Sequence, residues 1–73
     1  MNMNMVLGED WQERLIDERA GLVLKLDKLN TFIANDSKFQ ELPNHDQTLL
    51  IAQQAAMSQY CHILNLRIGL LQD

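Results

Sequence analysis

The sequence has very few of the residues that form turns, disulfides and metal sites. Its 73 residues include one proline, three glycines and one cysteine. A lone cysteine excludes an intrachain disulfide and fits a reducing compartment. Cys61 and His62 are neighbours that diverge on a helix, and His45 lies far along the chain, so we expect no metal and no cofactor. Because so short a chain has a thin core, oligomerisation is the remaining way to stabilise it.

The formal net charge of −4 lacks the basic surplus that a polynucleotide partner requires. It still allows a small anion held by two or three cations. No stretch approaches the roughly 20 apolar residues of a membrane span. Residues 1–8 have neither a basic residue nor a long apolar run, so they do not resemble a secretory signal. We therefore expect a soluble cytoplasmic protein that binds no membrane and no polynucleotide.

The apolar pattern predicts one helical domain over residues 9–73, preceded by a mobile N-terminal tail at residues 1–8. The first helix is predicted over about residues 10–35, because Asp10 and Glu13 form a variant of the capping box. Its apolar seam consists of Leu15, Leu22, Leu26, Leu29 and Ile33, with Arg19 in the intervening slot. This spacing is typical of a helix that packs along one side.

A connection over residues 36–44 leads to the second helix. It contains Phe39 and Leu42, which we expect to fold back over the open end of the helix pair. The second helix is predicted over about residues 45–71, with Asn44 as its N-cap. A connection of this length suits antiparallel neighbours, and no strand pattern competes. The predicted fold is therefore all-α, an antiparallel two-helix hairpin.

The second helix is almost free of charge, since Arg67 is the only formal charge between Asp46 and Asp73. Its larger apolar residues surround most of the helix: Leu49, Leu50, Ile51, Met57, Tyr60, Ile63, Leu64, Leu66, Ile68, Leu70 and Leu71. A helix that is apolar all round requires burial on several sides, which one neighbouring helix cannot provide. We therefore predict a compact homo-oligomer built around the second helix, with the first helix outside.

No set of residues resembles a catalytic site. There is no serine–histidine–acid arrangement, and the three glycines are isolated, so no phosphate-cradling loop exists. Adjacent carboxylates such as Asp17 and Glu18 diverge on a helix, which is a poor geometry for acid–base chemistry. We therefore expect no catalytic residues and no enzymatic activity.

The residues suited to ligand binding are one aromatic and a few cations: Trp11, Arg14, Lys25, Lys28 and Arg67. Trp11 and Lys25 are separated by nearly four helical turns, so they share a face at a distance of about 21 Å. One chain cannot hold a small ligand with both, but the tryptophan of one copy can approach the lysine of another. An indole can stack on a base while a lysine binds a phosphate. The alternatives are a packing anchor for Trp11, a solvated Lys25, and an ion pair rather than an anion site for Arg67.

Three segments occur in a characteristic order: "WQERLIDERAGLVLKLDKLNTFI", then "FQELP", then a helix ending in "NLRIGLL". Together they resemble the helical-hairpin family of phage anti-CBASS proteins. The matching positions are Arg14, Leu15, Glu18, Arg19, Leu22, Lys25, Leu26, Lys28, Leu29, Phe32, Ile33, Phe39, Leu42, Pro43, Met57, Tyr60, Leu64, Arg67 and Ile68. Each segment alone is a generic helix pattern, and it is their ordered combination that carries the resemblance.

The resemblance implies a non-enzymatic sponge that assembles as a homohexamer in the cytoplasm of the infected bacterial host. Such proteins sequester cyclic oligonucleotide immune signals, so that CBASS effectors are not activated. Cyclic dinucleotides such as cyclic GMP–AMP bind between subunits, on an N-terminal aromatic and a helix lysine that match Trp11 and Lys25. Cyclic trinucleotides such as cyclic tri-AMP bind nearer the three-fold axes, where Arg67 is the candidate. Trp11 departs from the tyrosine or histidine of other members and has no hydroxyl group.

Three other functions stay open. The same hairpin occurs in anti-Thoeris sponges, which capture cyclic ADP-ribose isomers. The charged first helix also fits an acidic inhibitor that docks on a host protein. A subunit with a purely structural role in an assembly is the third alternative.

Overall fold

The computed structural model describes the backbone of residues 3–71 and the side chains of residues 11–71. It contains three helices, α1 (Met3–Asn35), α2 (Ser37–Glu41) and α3 (Asn44–Leu71). Helices α1 and α3 pack along each other, and α2 lies in the connection between them. No strand occurs within the described backbone. The predicted all-α fold with two long packed helices is therefore confirmed.

Helix α1 begins earlier than the sequence pattern predicts. Its first residue is Met3, so most of the segment predicted as a mobile tail at residues 1–8 is helical, while residues 1 and 2 lie outside the described residues. Asp10 stands inside this helix and is therefore not its N-cap. The physical reason is that the preceding segment contains methionine and leucine, which favour helix, and no proline that would interrupt it.

The connection contains a short helix that the sequence pattern did not predict. Asp36 caps this helix α2, because its carboxylate accepts a hydrogen bond from the backbone N–H of Lys38 at 2.9 Å. Phe39 is buried, and its ring meets the Phe32 ring edge to face. Leu42 is partly buried. The predicted role of Phe39 as an apolar anchor at this end of the hairpin is confirmed.

The start of α3 differs by one residue from the prediction. The carbonyl of Pro43 accepts a hydrogen bond from the backbone N–H of Gln47 at 3.1 Å, so Pro43 occupies the N-cap position and Asn44 is already helical. The side-chain amide of Gln47 donates to the carbonyls of Leu42 at 2.9 Å and Gln40 at 3.2 Å. The long side chain of Gln47 thus ties the connection to the first turn of α3.

Two polar contacts fix how α1 and α3 align. The guanidinium Nε of Arg19 donates to the side-chain oxygen of Asn65, and the side-chain amide of Gln54 donates to that of Asn30. Asn30 is eleven residues after Arg19, and Gln54 is eleven residues before Asn65, so both contacts belong to one antiparallel register. The two helices therefore form the predicted antiparallel hairpin.

The core between the two helices is small. Leu15 and Leu22 from α1 and Leu64 from α3 form the buried cluster, and Leu64 has no accessible surface. The partly buried residues packed against it are Met57, Cys61, Ile68 and Leu71. The predicted α1 seam is thus confirmed at its first two leucines, Leu15 and Leu22. The described part of the chain has four buried apolar residues, Leu15, Leu22, Leu64 and Phe39. This is a minimal core.

Helix α3 leaves a broad apolar surface uncovered, which we call the open α3 face. It consists of Leu49, Ile51, Ala52, Ala55, Ala56, Ile63, Leu66 and Leu70, all exposed. The accessible surface is 5652 Å², whereas a compact protein of this mass exposes about 4,600 Å². The radius of gyration is 16.8 Å, against about 11 Å for a compact domain of this length. A single hairpin is therefore elongated and buries its apolar surface incompletely.

Helix α3 is also neutral along most of its length, because Asp46 in the first turn and Arg67 are its only Asp, Glu, Lys or Arg residues. Its apolar character nevertheless falls short of a lipid-spanning segment. In the part of the chain that the structure describes, no helix combines the length and the hydropathy needed to cross a membrane.

Candidate ligand-binding site

Trp11 presents its indole to solvent on α1. The side chain is 42% exposed, so within one hairpin it is not a packing anchor. Because α1 begins at Met3, Trp11 stands in the third turn of the helix and not at its first turn. The helix therefore continues on both sides of the indole, which gives it a firmer backbone than a frayed end provides.

Lys25 is exposed on the same helix, and α1 is continuous between Trp11 and Lys25. At 1.5 Å per residue the two backbone positions are about 21 Å apart along the axis. Arg14 is exposed and lies three residues after Trp11, so these two side chains are neighbours on the helix surface. A single hairpin therefore brings Arg14 to the indole and does not bring Lys25 to it.

Helix geometry places Arg67 on the same side of the hairpin as Trp11 and Lys25. Asn65 and Arg67 are two residues apart on α3, so they project about 160° apart around that helix. The contact between Arg19 and Asn65 marks one edge of the helix pair. Arg67 therefore lies at the opposite edge. On α1, the angular positions of Trp11 and Lys25 relative to Arg19 place these two residues at that opposite edge as well. We call this the tryptophan edge.

The register also gives the order of these groups along the tryptophan edge. Arg19 lies opposite Asn65, so Arg67 lies at the level of residue 17 of α1. That level is about 9 Å from Trp11 and about 12 Å from Lys25 along the axis. The exposed guanidinium of Arg67 thus stands between the indole and the lysine. Tyr60 lies on this edge as well and is 41% exposed.

Lys28 belongs to a different surface, an open groove of about 440 Å³ near the end of α1. The groove is lined by Lys28, Thr31, Phe32, Asn35, Asp36 and Ser37. The carboxylate of Asp36 also lines this groove, so its negative charge offsets the positive charge of Lys28. The same carboxylate caps α2. The structure therefore does not unite Lys28 with the groups of the tryptophan edge.

A second groove, on the opposite edge of the hairpin, was missed by the sequence reasoning. It has a volume of about 420 Å³ and is lined by Ile16, Arg19, Asn65, Ile68 and Gly69. The sequence does contain a signal for it, since Arg19 is a cation within a seam of leucines. The position of Asn65 opposite that cation could be known only from the register.

The described side chains also bear on metal binding. Within residues 11–71, no group of three or more His, Cys, Asp or Glu side chains is placed to hold a metal ion. Cys61 is a free thiol, partly buried against the core cluster.

Comparison with known proteins identifies a family for most of the chain. No curated protein and no solved structure is significantly similar to the chain. The Sequestin family matches residues 9–70, which include all of α2, nearly all of α3 and most of α1. This match covers the hairpin, the tryptophan edge and both grooves. The chain therefore belongs to the Sequestin family.

Proposed function

We propose that this protein sequesters cyclic oligonucleotide immune signals during phage infection and so prevents the activation of CBASS effectors. The observation that carries the proposal is the match to the Sequestin family over residues 9–70, because that family name denotes a sequestering protein. The ligand class comes from the sequence resemblance to phage anti-CBASS proteins. Cyclic dinucleotides such as cyclic GMP–AMP are the first ligands, and cyclic trinucleotides such as cyclic tri-AMP the second.

The proposal includes self-association, because one hairpin cannot form the complete site. The open α3 face exposes Leu66 at 57% and Leu70 at 75%, which water disfavours. Packing of this face against further copies buries it and leaves the charged α1 outside. A homohexamer is the assembly that the resemblance implies. In such an assembly the indole of one copy approaches the lysine of another. The separation of about 21 Å between Trp11 and Lys25 of one copy then does not prevent both residues from contacting the same ligand.

The indole and the cations have separate chemical roles in this proposal. Trp11 stacks on a base, and Lys25 and Arg14 bind phosphate oxygens with charge-assisted hydrogen bonds. Arg67 stands between these levels and binds the phosphates of a trinucleotide near a symmetry axis. Lys28 contributes positive charge at a greater distance, from its own groove.

Binding without cleavage is part of the proposal. A sponge requires tight pockets and a long-lived complex, and it needs neither a nucleophile nor a general base. The tryptophan edge supplies a stacking indole and permanent cations, which suit retention of the ligand. We therefore propose no enzymatic activity and a site of action in the host cytoplasm.

The test is recovery of the ligand. Purified protein is mixed with 3′,3′-cyclic GMP–AMP or cyclic tri-AMP, washed, heated to denature it, and the released nucleotide is analysed by mass spectrometry. We expect intact ligand at a fixed ratio to the protein and a raised melting temperature before heating. A folded protein that retains neither ligand contradicts the proposal, and release of linear products indicates a nuclease.

Two observations favour other ligands or another function for this protein. The resemblance includes anti-Thoeris sponges, so cyclic ADP-ribose isomers belong in the same recovery assay as a third ligand. The acidic residues Glu13, Asp17 and Glu18 are exposed on α1, which favours docking on a basic host protein as the competing function. Recovery of a stoichiometric host protein with no nucleotide would favour that second function.

A further inference from the structure

The groove formed by Ile16, Arg19, Asn65, Ile68 and Gly69, which we call the Arg19 groove, lies away from the proposed site. It is on the edge marked by the contact between Arg19 and Asn65, whereas Trp11 and Lys25 lie on the opposite edge. Within one hairpin the two surfaces cannot hold the same small ligand. The Arg19 groove therefore needs an explanation of its own.

Arg19 is a partly buried cation without a matching acid. Among the residues whose side chains are described, no carboxylate forms an ion pair with it. The only acid of α3 is Asp46 in its first turn, more than five turns from Asn65. On α1, Asp17 and Glu18 directly precede Arg19, and residues so spaced do not face the same side. The guanidinium of Arg19 is therefore available to an anion from outside the hairpin.

The guanidinium of Arg19 is oriented for such an anion. Its Nε donates to the side-chain oxygen of Asn65, which fixes the plane of the group. The N–H groups on its two terminal nitrogens remain as donors, and in this planar fork they match two oxygens of one phosphate. The side-chain amide of Asn65 is neutral, so it holds the guanidinium of Arg19 in place without neutralising its charge.

The groove has the size and walls of a small-molecule site. Its volume of about 420 Å³ lies in the range of ligand pockets, and Ile16 and Ile68 supply apolar walls. Gly69 stands at the wall with nothing within 4 Å of the position that a Cβ would occupy. Alanine would favour the helix there by about 1 kcal/mol, so the packing of this hairpin does not explain the glycine. The glycine adds no side chain to this wall of the groove.

We propose that the Arg19 groove is a second anion site, which binds a phosphate group of a small nucleotide with the isoleucines against its apolar part. The choice of phosphate over another oxyanion rests on the proposed function. The site itself rests on the unpaired Arg19, its orientation by Asn65 and the space at Gly69. It is separate from the groups of the tryptophan edge.

Nuclear magnetic resonance of the full chain tests this proposal with inorganic phosphate and 5′-AMP as probes. We expect both probes to shift the Nε–Hε signal of Arg19 and the amides of Ile68 and Gly69 at concentrations that leave the Trp11 indole signal unchanged. AMP should bind more tightly than phosphate, because the isoleucine walls contact its apolar part.

Matched glycine variants separate the groove from general effects on the helices. Gly69→Ala narrows the groove and should weaken AMP binding by about tenfold or more, the loss expected when a charge-assisted contact is displaced. Gly21→Ala is the control, since Gly21 also has nothing within 4 Å and lines neither groove. Arg19→Lys keeps the charge, loses the oriented fork and should weaken binding in the same way as Gly69→Ala.

Several results would overturn the proposal. One is equal binding of AMP by the Gly69→Ala and Gly21→Ala variants. Another is a change in sedimentation coefficient on Gly69→Ala or Arg19→Lys without a change in probe binding, because it would make the groove a contact between copies. The proposed function fails separately, because it is tested by recovery of intact cyclic GMP–AMP, and Lys25, on which that binding is proposed to depend, lies outside the groove.

Discussion

The rings of Phe32 and Phe39 meet edge to face with their centroids 5.9 Å apart, and this contact joins α2 to the end of α1. Phe39 is the one buried residue of α2 and closes the end of the hairpin at which the chain turns. Phe39→Ala should lower the free energy of unfolding by about 3 kcal/mol, because it removes a buried ring and leaves a cavity. Phe39→Leu fills most of that space and is the control. Urea denaturation at one fixed protein concentration measures both losses, and equal losses for the two variants would contradict the cavity argument.

Leu64 and Leu66 test the separation between the core and the open α3 face. Leu64 is fully buried against α1, whereas Leu66 is 57% exposed on the same helix. Leu64→Ala should destabilise the hairpin by about 2–5 kcal/mol. Leu66→Ala should leave the helical content of the hairpin intact and weaken its self-association. Circular dichroism and sedimentation measured across a range of concentrations distinguish the two effects. Leu66→Ala with unchanged sedimentation would remove the open α3 face from the interface.

Gly21 tests whether α1 is the outer helix of the assembly. A Cβ at Gly21 meets nothing within 4 Å, and the residue lies in the interior of α1. Gly21→Ala should therefore stabilise the protein by about 1 kcal/mol through helix propensity. Thermal unfolding at fixed concentration measures the gain. A lower melting temperature would mean that another copy packs closely on this face of α1, against the proposed arrangement.

Trp11 and Lys25 are the groups on which the proposed site depends. Trp11→Ala should weaken cyclic GMP–AMP binding by about tenfold to a hundredfold, the effect of losing one stacked base, with no change in sedimentation. Trp11→Phe keeps an aromatic face and should retain most of the affinity. Lys25→Ala should weaken binding as well, and Lys38→Ala serves as its control because Lys38 is an exposed lysine on α2. Dissociation of the oligomer by Trp11→Ala would instead identify the indole as a packing anchor.

The helical fold was predictable because the spacing of the apolar residues and the composition of the chain both indicate helix over long segments. The leucines of α1 recur at the spacing of a packed seam, and the buried positions Leu15 and Leu22 lie on it. The ends of the helices were less predictable, because several neighbouring residues can compete for the position at which a helix begins. Asp10 has the sequence of an N-cap, but the residues before it also favour helix. Likewise Asn44 has the sequence of an N-cap, but Pro43 occupies that position and Asn44 is already helical.

The candidate site was predictable only in its residue types. A single tryptophan and isolated cations are visible in the sequence, and so is the apolar excess of α3, because each depends on residue identity and helical period alone. Which groups share a side of the hairpin depends on register and on the rotation of each helix. A helix that is apolar all round does not specify these from its pattern, since several rotations bury similar area. The polar contacts of Arg19 with Asn65 and of Asn30 with Gln54 select one alignment, and that alignment sets Arg67 between Trp11 and Lys25 and opens the Arg19 groove on the other edge.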